Sequence, residues 1–350
     1  MEGGPVAEPV EFRHLPDVAS RALGGSVVYA NDEFFADAAN LIVPGSARHD
    51  PTAFDHRGKV YDGWETRRRR EPGEDFAVVR LAAPAVVRGL DIDTSHFRGN
   101  YPPVASVEAT TVLGYPTVDE LLSAPWFSLI DKVDLDGNAP NVVPVRAPDR
   151  LVTHVRLTIY PDGGVARFRV YGEVIPDPRQ LGGRVDLAAT LHGGLIADCS
   201  NLFYSSPANV LAPGRAQVMS DGWETARRRD DGNDWLVVRL GAPALVHDAV
   251  VDTSRFVGNA PGSVRLSDAE TGAELLPRTR LIPDTEHRFR VRSSAVVRLV
   301  RLDVYPDGGI SRLRINGAVP EAARGEVAAR WLGLLGAEPA NQIDPDEFFE

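Results

Sequence analysis

The stretch "DGWETRRRR" at 62–70 returns as "DGWETARRR" at 221–229, and it is one of five blocks that recur in the same order along the chain. Ahead of it, "NDEFFADAANLIVPG" (31–45) answers "SNLFYSSPANVLAPG" (200–214). Behind it, "DFAVVRLAAPA" (75–85) answers "DWLVVRLGAPA" (234–244), and "DTSHFRGNYP" (93–102) answers "DTSRFVGNAP" (252–261). Last, "VRLTIYPDGGVARFRVYG" (155–172) answers "VRLDVYPDGGISRLRING" (300–317). The period is longer than any solenoid unit, so the chain is two copies of one domain. The spacing is uneven: 16 residues separate Gly45 from Asp62, and 6 separate Gly214 from Asp221. Insertions of that kind belong in surface loops.

Between the blocks lie short β-branched runs at 76–81, 86–92, 104–112, 155–160 and 165–170, which read as strands. Alternation through Val155, Leu157 and Ile159, then the turn residues Pro161-Asp162-Gly163-Gly164, predicts a hairpin. Many short strands with frequent turns make the chain all-β, as two tandem jelly-roll β-sandwich domains from an internal duplication. The expected division is an N-terminal extension over 1–20, the first repeat over 21–175, a linker over 176–194 rich in Pro and Gly, and the second repeat over 195–319. A short C-terminal helix with an acidic tail takes up 320–350. Its apolar face uses Ala322, Val327, Ala328, Trp331, Leu332, Leu334 and Leu335, and it ends before Pro339.

Charge narrows the function. The balance of 38 basic against 49 acidic residues gives −11, which opposes an extended nucleic-acid footprint despite the arginine runs. Lys59 and Lys132 are the only lysines, so nearly all positive charge is Arg, a fork suited to carboxylates and one that codon bias also supplies. Cys199 is the one cysteine, which excludes an intrachain disulfide and a cysteine zinc site and fits a reducing compartment. The start "MEGGPVAEPVEF" lacks a basic n-region and an apolar core, and no run approaches a membrane span, so cytoplasmic is the expectation. HExxH, paired-His, EF-hand, GxGxxG, GxxxxGK[ST] and GxSxG patterns are all missing. That disfavours a tight structural metal, a nucleotide and a serine nucleophile.

What remains for chemistry sits in the repeated blocks. As a strand, 62–70 would put Trp64, Thr66 and Arg68 on one face and Glu65, Arg67 and Arg69 on the other. A buried Trp with a solvated Arg face is the plain reading, while Asp, Glu, Thr and Arg crowded about one Trp also suit a polar ligand. Arg67 faces Ala226 in the second copy, whereas Arg68 to Arg70 each face an Arg. In the other block His96, replaced by Arg255 in the second copy, is the candidate whose ordinary pKa suits acid–base work; otherwise it is a loop histidine. The two "YPDGG" segments are explained by turn geometry, with Asp162 and Asp307 at loop tips.

"NDEFF", "DGWETRR", "DIDTSHFRGNYPP", "DGWET", "VDTSRFVGN" and the paired "YPDGG", covering about 25–320, resemble the allantoicase family. The resemblance implies galactose-binding-like jelly rolls, hydrolysis of allantoate to ureidoglycolate and urea in purine degradation, and a homo-oligomer. For that reaction, residue type and block membership make His96, Glu65 and Asp93 the expected catalytic residues, while Trp64, Thr66, Arg67, Arg68, Thr94, Asn100 and Tyr101 are expected to bind substrate. Arg68, or Arg67, would clamp the carboxylate. The counterparts are Asp221, Trp223, Glu224, Thr225, Arg227, Asp252 and Asn259. The second copy carries Arg255, Val257 and Ala260 for His96, Arg98 and Tyr101, so equivalent sites are not expected. No cofactor is implied beyond a weakly held divalent ion that the Asp-rich loops could carry. Two rival classes are a non-catalytic carbohydrate-binding jelly roll, usually secreted with exposed aromatics, and an oligomer-building protein with hydrophobic loop tips. The repeated loops read as polar, against the last.

Overall fold

The computed structural model describes residues 11–56, 58–291, 293–336, 340 and 343–350. The chain divides into two compact units, the first ending at Glu173 and the second beginning at Val174.

Each unit is a jelly-roll sandwich built around one long strand. In the first, Asp75–Asp93 runs between Ser26–Ala30 and Val152–Tyr160, and the sheet continues through Val104–Thr110 to Phe127–Asp134. Arg167–Val174 and Pro140–Pro144 also pair with the long strand. In the second unit, Asp234–Asp252 does the same work, its first half on Val297–Tyr305 and its second on Arg312–Ala318 and Glu286–Arg290. The sequence explains the division. Pro84 and Pro243 lie inside these strands and cannot donate to a ladder. The register slips there, from Arg80↔His154 to Ala85↔Val152 and from Arg239↔Leu299 to Ala244↔Val297. The resulting bulge swings one strand from the first sheet into the second. The runs at 76–81 and 86–92, read as two strands, are therefore one.

The hairpin expected through "YPDGG" is overturned. Val152–Tyr160 pairs with the front of the long strand and Arg167–Val174 pairs with that strand elsewhere, so the segment crosses between sheets. Alternating side chains report a half-buried strand but not its neighbour.

Both copies begin ahead of the blocks matched in the sequence. Asp17 Oδ1 accepts the Val170 amide at 3.0 Å, and Val18 N donates to Val170 O at 2.8 Å. Asp186 and Leu187 repeat both bonds on Ile315, at 2.9 Å each. The matching sequence signal, "DVASRALGG" against "DLAATLHGG", begins in the expected extension in one copy and lies in the expected linker in the other. Leu181, Leu187 and Ala188 of the expected linker are core residues of the second unit.

The C-terminal helix is Glu321–Leu334, and it buries Ala323, Val327 and Trp331, with Leu335 just beyond. Ala322, expected on the inner face, is exposed. Spacing of four from Ala323 to Leu335 accounts for the shift of one residue. The helix ends at Leu334, before Pro339 as expected, and residues 1–10 of the N-terminal extension lie outside the described residues. The tail is not merely acidic: Phe349 N donates to Pro178 O at 3.1 Å, and the Phe348 ring meets Trp331 edge-on.

Candidate active site

The Trp-Glu-Thr block is a strand for two residues only, Trp64–Glu65, paired with Gly164–Val165. Trp64 is fully buried and donates its indole N–H to Asp32 O at 2.8 Å. Thr66 is buried too, exchanging bonds with Gly163: N to O at 3.1 Å, and Oγ1 accepting the glycine amide at 3.2 Å. The "YPDGG" turn is thus the partner of the block. Its Asp162 is no free tip, since Oδ2 accepts Arg69 N at 2.8 Å. Its second glycine is required, because a Cβ on Gly164 would sit 2.0 Å from the Phe97 ring. In the second unit Asp307 binds Arg228 N and Phe256 covers Gly309 in the same way.

With Trp64 and Thr66 turned inward, Glu65 and Arg67 face out. Glu65 Oε1 accepts Nδ2 of Asn100 at 2.7 Å. Burial pushes the Glu65 carboxyl above its usual range, and the Asn100 bond opposes this in part. Arg67 is tied to Asp32: its Nε donates to Oδ2 at 2.6 Å and its backbone N to Oδ1 at 3.1 Å. Burial raises Asp32, but bonds from Phe34 and Arg67 outweigh it and leave the carboxyl below its ordinary value. Arg69 turns to the buried Asp75 at 2.6 Å. Arg68 and Arg70 make no ion pair among the described residues. The four arginines with Asp32, Glu71 and Asp75 line an open cleft of about 360 Å³.

The loop after the long strand carries the rest. Asp93 Oδ1 accepts Ser95 N at 2.8 Å, closing a tight turn. Thr94, expected to touch substrate, is fully buried, and its hydroxyl bonds Asp136 O and Ala139 O. It secures the turn from below, as Trp64 and Thr66 secure the strand. His96 is left-handed, φ 72°, with its amide on Asn138 Oδ1 at 2.9 Å. Its ring Nε2 lies 3.2 Å from Ala47 O. A carbonyl only accepts, so Nε2 carries the proton and Nδ1 holds the lone pair. Tyr101 packs against Gly137, where a Cβ would sit 2.3 Å from its ring.

The second unit retains the frame and changes the chemistry. Glu224 accepts Asn259 at 2.6 Å, Trp223 and Thr225 are buried, and Asp252 holds Ser254 N at 2.8 Å. Asp221 accepts Gln217 N at 2.7 Å, and Arg227 is exposed. Arg255, φ 74°, stands for His96 and donates Nε to Ala216 O at 3.3 Å. Asn201 replaces Asp32 where Ala226 replaces Arg67. That joint change was visible in the aligned blocks and marks Asp32, which single-residue reading missed. The loop after Asn201 is not polar as expected: Leu202, Phe203 and Tyr204 are 70%, 71% and 62% exposed. No group of three or more His, Cys, Asp or Glu gathers as a metal site among the described residues, and no helix there is long and apolar enough to cross a membrane.

Comparisons with known proteins agree over most of the chain. The family model described as "Allantoicase repeat" matches residues 16–175 and 185–320. A probable allantoicase of Nocardia farcinica is 54% identical over 316 residues, covering 88% of this chain and 96% of its own. One from Streptomyces coelicolor is 48% identical over 343 residues, covering 93% and 91%. The crystal structure of allantoicase from Saccharomyces cerevisiae has a TM-score of 0.78 to this chain at 35% identity, covering 90% of this chain and 98% of that one.

Proposed function

The chain belongs to the allantoicase family, and from that premise we propose that its first unit, not its second, carries the hydrolysis of allantoate to ureidoglycolate and urea. The observation behind this choice is the contrast between the copies. Both hold the Glu–Asn pair, but the Asp32–Arg67 pair, His96 and Tyr101 occur in the first alone.

Allantoate is a carboxylate whose α-carbon bears two ureido groups, so the scissile C–N bond belongs to an aminal. Arg68, uncommitted beside the Arg67–Asp32 pair, clamps the carboxylate. The second N–H of the Asn100 amide donates to a ureido carbonyl, Asp93 Oδ2 accepts a ureido N–H, and Tyr101 walls the site. His96 takes a proton from the attacking water at Nδ1, and Glu65, raised by burial, delivers one to the departing urea nitrogen. The C–N bond breaks as the water oxygen bonds to carbon, and the proton on His96 returns through solvent to Glu65. The protein acts as a homo-oligomer in the cytoplasm. The exposed Leu202–Tyr204 apolar tip supports association, and the lone thiol supports a reducing compartment.

Release of urea from allantoate by the purified chain tests the reading. Arg68→Lys keeps the charge and loses the fork, so KM rises about tenfold with kcat nearly constant. An unchanged KM removes Arg68 from the carboxylate. Glu65→Gln keeps the shape and the bond to Asn100 but cannot deliver a proton; kcat falls about 10²-fold. Full turnover in that variant would assign the acid elsewhere.

A further inference from the structure

The longer span of the first copy, 46–61 against 215–220, is a built element. Its foot is fixed by Asp62, whose Oδ2 accepts Arg48 N and Nη2 of the buried Arg167, both at 2.8 Å. Asp50 holds Thr52 by backbone and hydroxyl at 2.8 and 2.7 Å, and Phe54–Asp55 pairs with Gly58–Lys59 as a small ribbon. From this frame three groups converge on the His96 loop. Ala47 O meets His96 Nε2, the His49 ring stacks on the His96 ring at 5.3 Å and 18°, and Tyr61 stacks on Phe97 at 4.9 Å and 26°. His49 also lies 6.4 Å from Tyr61, and Lys59 stands 5.5 Å over the Tyr61 ring. In the second unit the shorter span gives a carbonyl tether, from Ala216 to Arg255, and a long Asn259 Nδ2 contact to Met219 Sδ at 3.9 Å, with no ring stacked on Arg255 among the described residues.

A ring held at one edge by a single hydrogen bond can still rotate about that bond, and a flat neighbour on its face removes the rotation. We propose that His49 is a positioning residue for the hydrolysis, holding the His96 imidazole plane against the Ala47 tether. The extra residues of the first copy are then what makes that copy reactive. The inference rests on His96 being the base. Desolvation, then the charges of Lys59, His96 and Arg98, hold His49 below its ordinary value, with Asp50 acting the other way. A neutral ring therefore faces His96 near neutrality.

Steady-state urea release from allantoate by the full chain decides it, with thermal melting as the check on folding. His49 is exposed, so its truncation leaves the melting point in place. His49→Ala lowers kcat by about 10²-fold, the cost of a slightly misplaced catalytic group, while KM stays within about twofold. His49→Phe, flat but unable to titrate, restores most of the loss. Wild-type kcat in His49→Ala, beside an inactive His96→Ala, overturns the inference and leaves the His96 reading standing. Wild-type kcat in both overturns that reading as well. A His49→Phe enzyme as slow as His49→Ala overturns the positioning role.

Discussion

His96→Ala is expected to lower kcat for allantoate by about 10²–10⁴-fold, the range for loss of a positioned acid or base, in a protein that still folds. The Ala47 carbonyl commits Nε2 to donation and leaves Nδ1 as the acceptor, and no other side chain of the loop has an ordinary pKa near neutrality. The second copy supplies a control on folding. Arg255 occupies the same left-handed position at φ 74°, against 72° for His96. His96→Arg should therefore fold, with its guanidinium on the same carbonyl, and be as inactive as His96→Ala. Steady-state urea release measures both. Turnover within about twofold of wild type in either variant would reduce His96 to a loop residue.

His154→Leu is expected to make the first unit more resistant to acid by about 3 kcal/mol at pH 4 relative to pH 7. His154 is 1% exposed, on the strand facing Arg80, with Nδ1 against the Thr153 hydroxyl at 2.9 Å. Burial first, and the Arg80 charge second, push its pKa down from 6.5 to about 4. A depressed value means the folded state binds fewer protons than the unfolded chain. Its stabilisation is complete above 6.5 and is lost as pH falls through 4. Asp17 works in the opposite sense: burial, opposed by Arg169, lifts it from 3.8 to about 6. Its contribution is full below 3.8 and is lost as pH rises through 6. The two nearly cancel in the wild type, so only the difference between wild type and variant isolates the histidine. The second unit has Leu299 at the equivalent register position, so leucine is a sterically reasonable replacement. Urea denaturation of both proteins at pH 7 and pH 4 reads the difference. The same loss in wild type and variant would exonerate His154.

Much of the fold was legible because the chain states it twice. Repetition of five blocks needs no contact information, and the β-branched runs, turn residues and bracketed Trp follow from local preference. The candidate residues fall in two sequence blocks, one with Glu65 to Arg70 and one with Asp93 to Tyr101, which meet through the Glu65–Asn100 bond. Joint changes between copies, Asp32 with Arg67, could have added a third. The 46–61 span reads as a surface insertion, which length alone invites.

The tertiary structure alone decided which of these residues meet. Alternation put Val152–Tyr160 in a sheet but could not say that its partner is the front of a strand bent at Pro84, because pairing depends on a register set far away in the sequence, Ile159 on Asp75 and Val152 on Ala85. It also sorted the Trp-Glu-Thr-Arg run into inward and outward members, since a buried Trp64 and Thr66 leave Glu65 and Arg67 the outer face. Asn100 meets Glu65 over 35 residues, and Ala47 meets His96 over 49. From the amino-acid sequence alone come the duplication, the strand content and the residue types that chemistry would need. Distances and directions among those types arise only when the chain closes, because each is a property of two segments brought together by packing neither one encodes by itself.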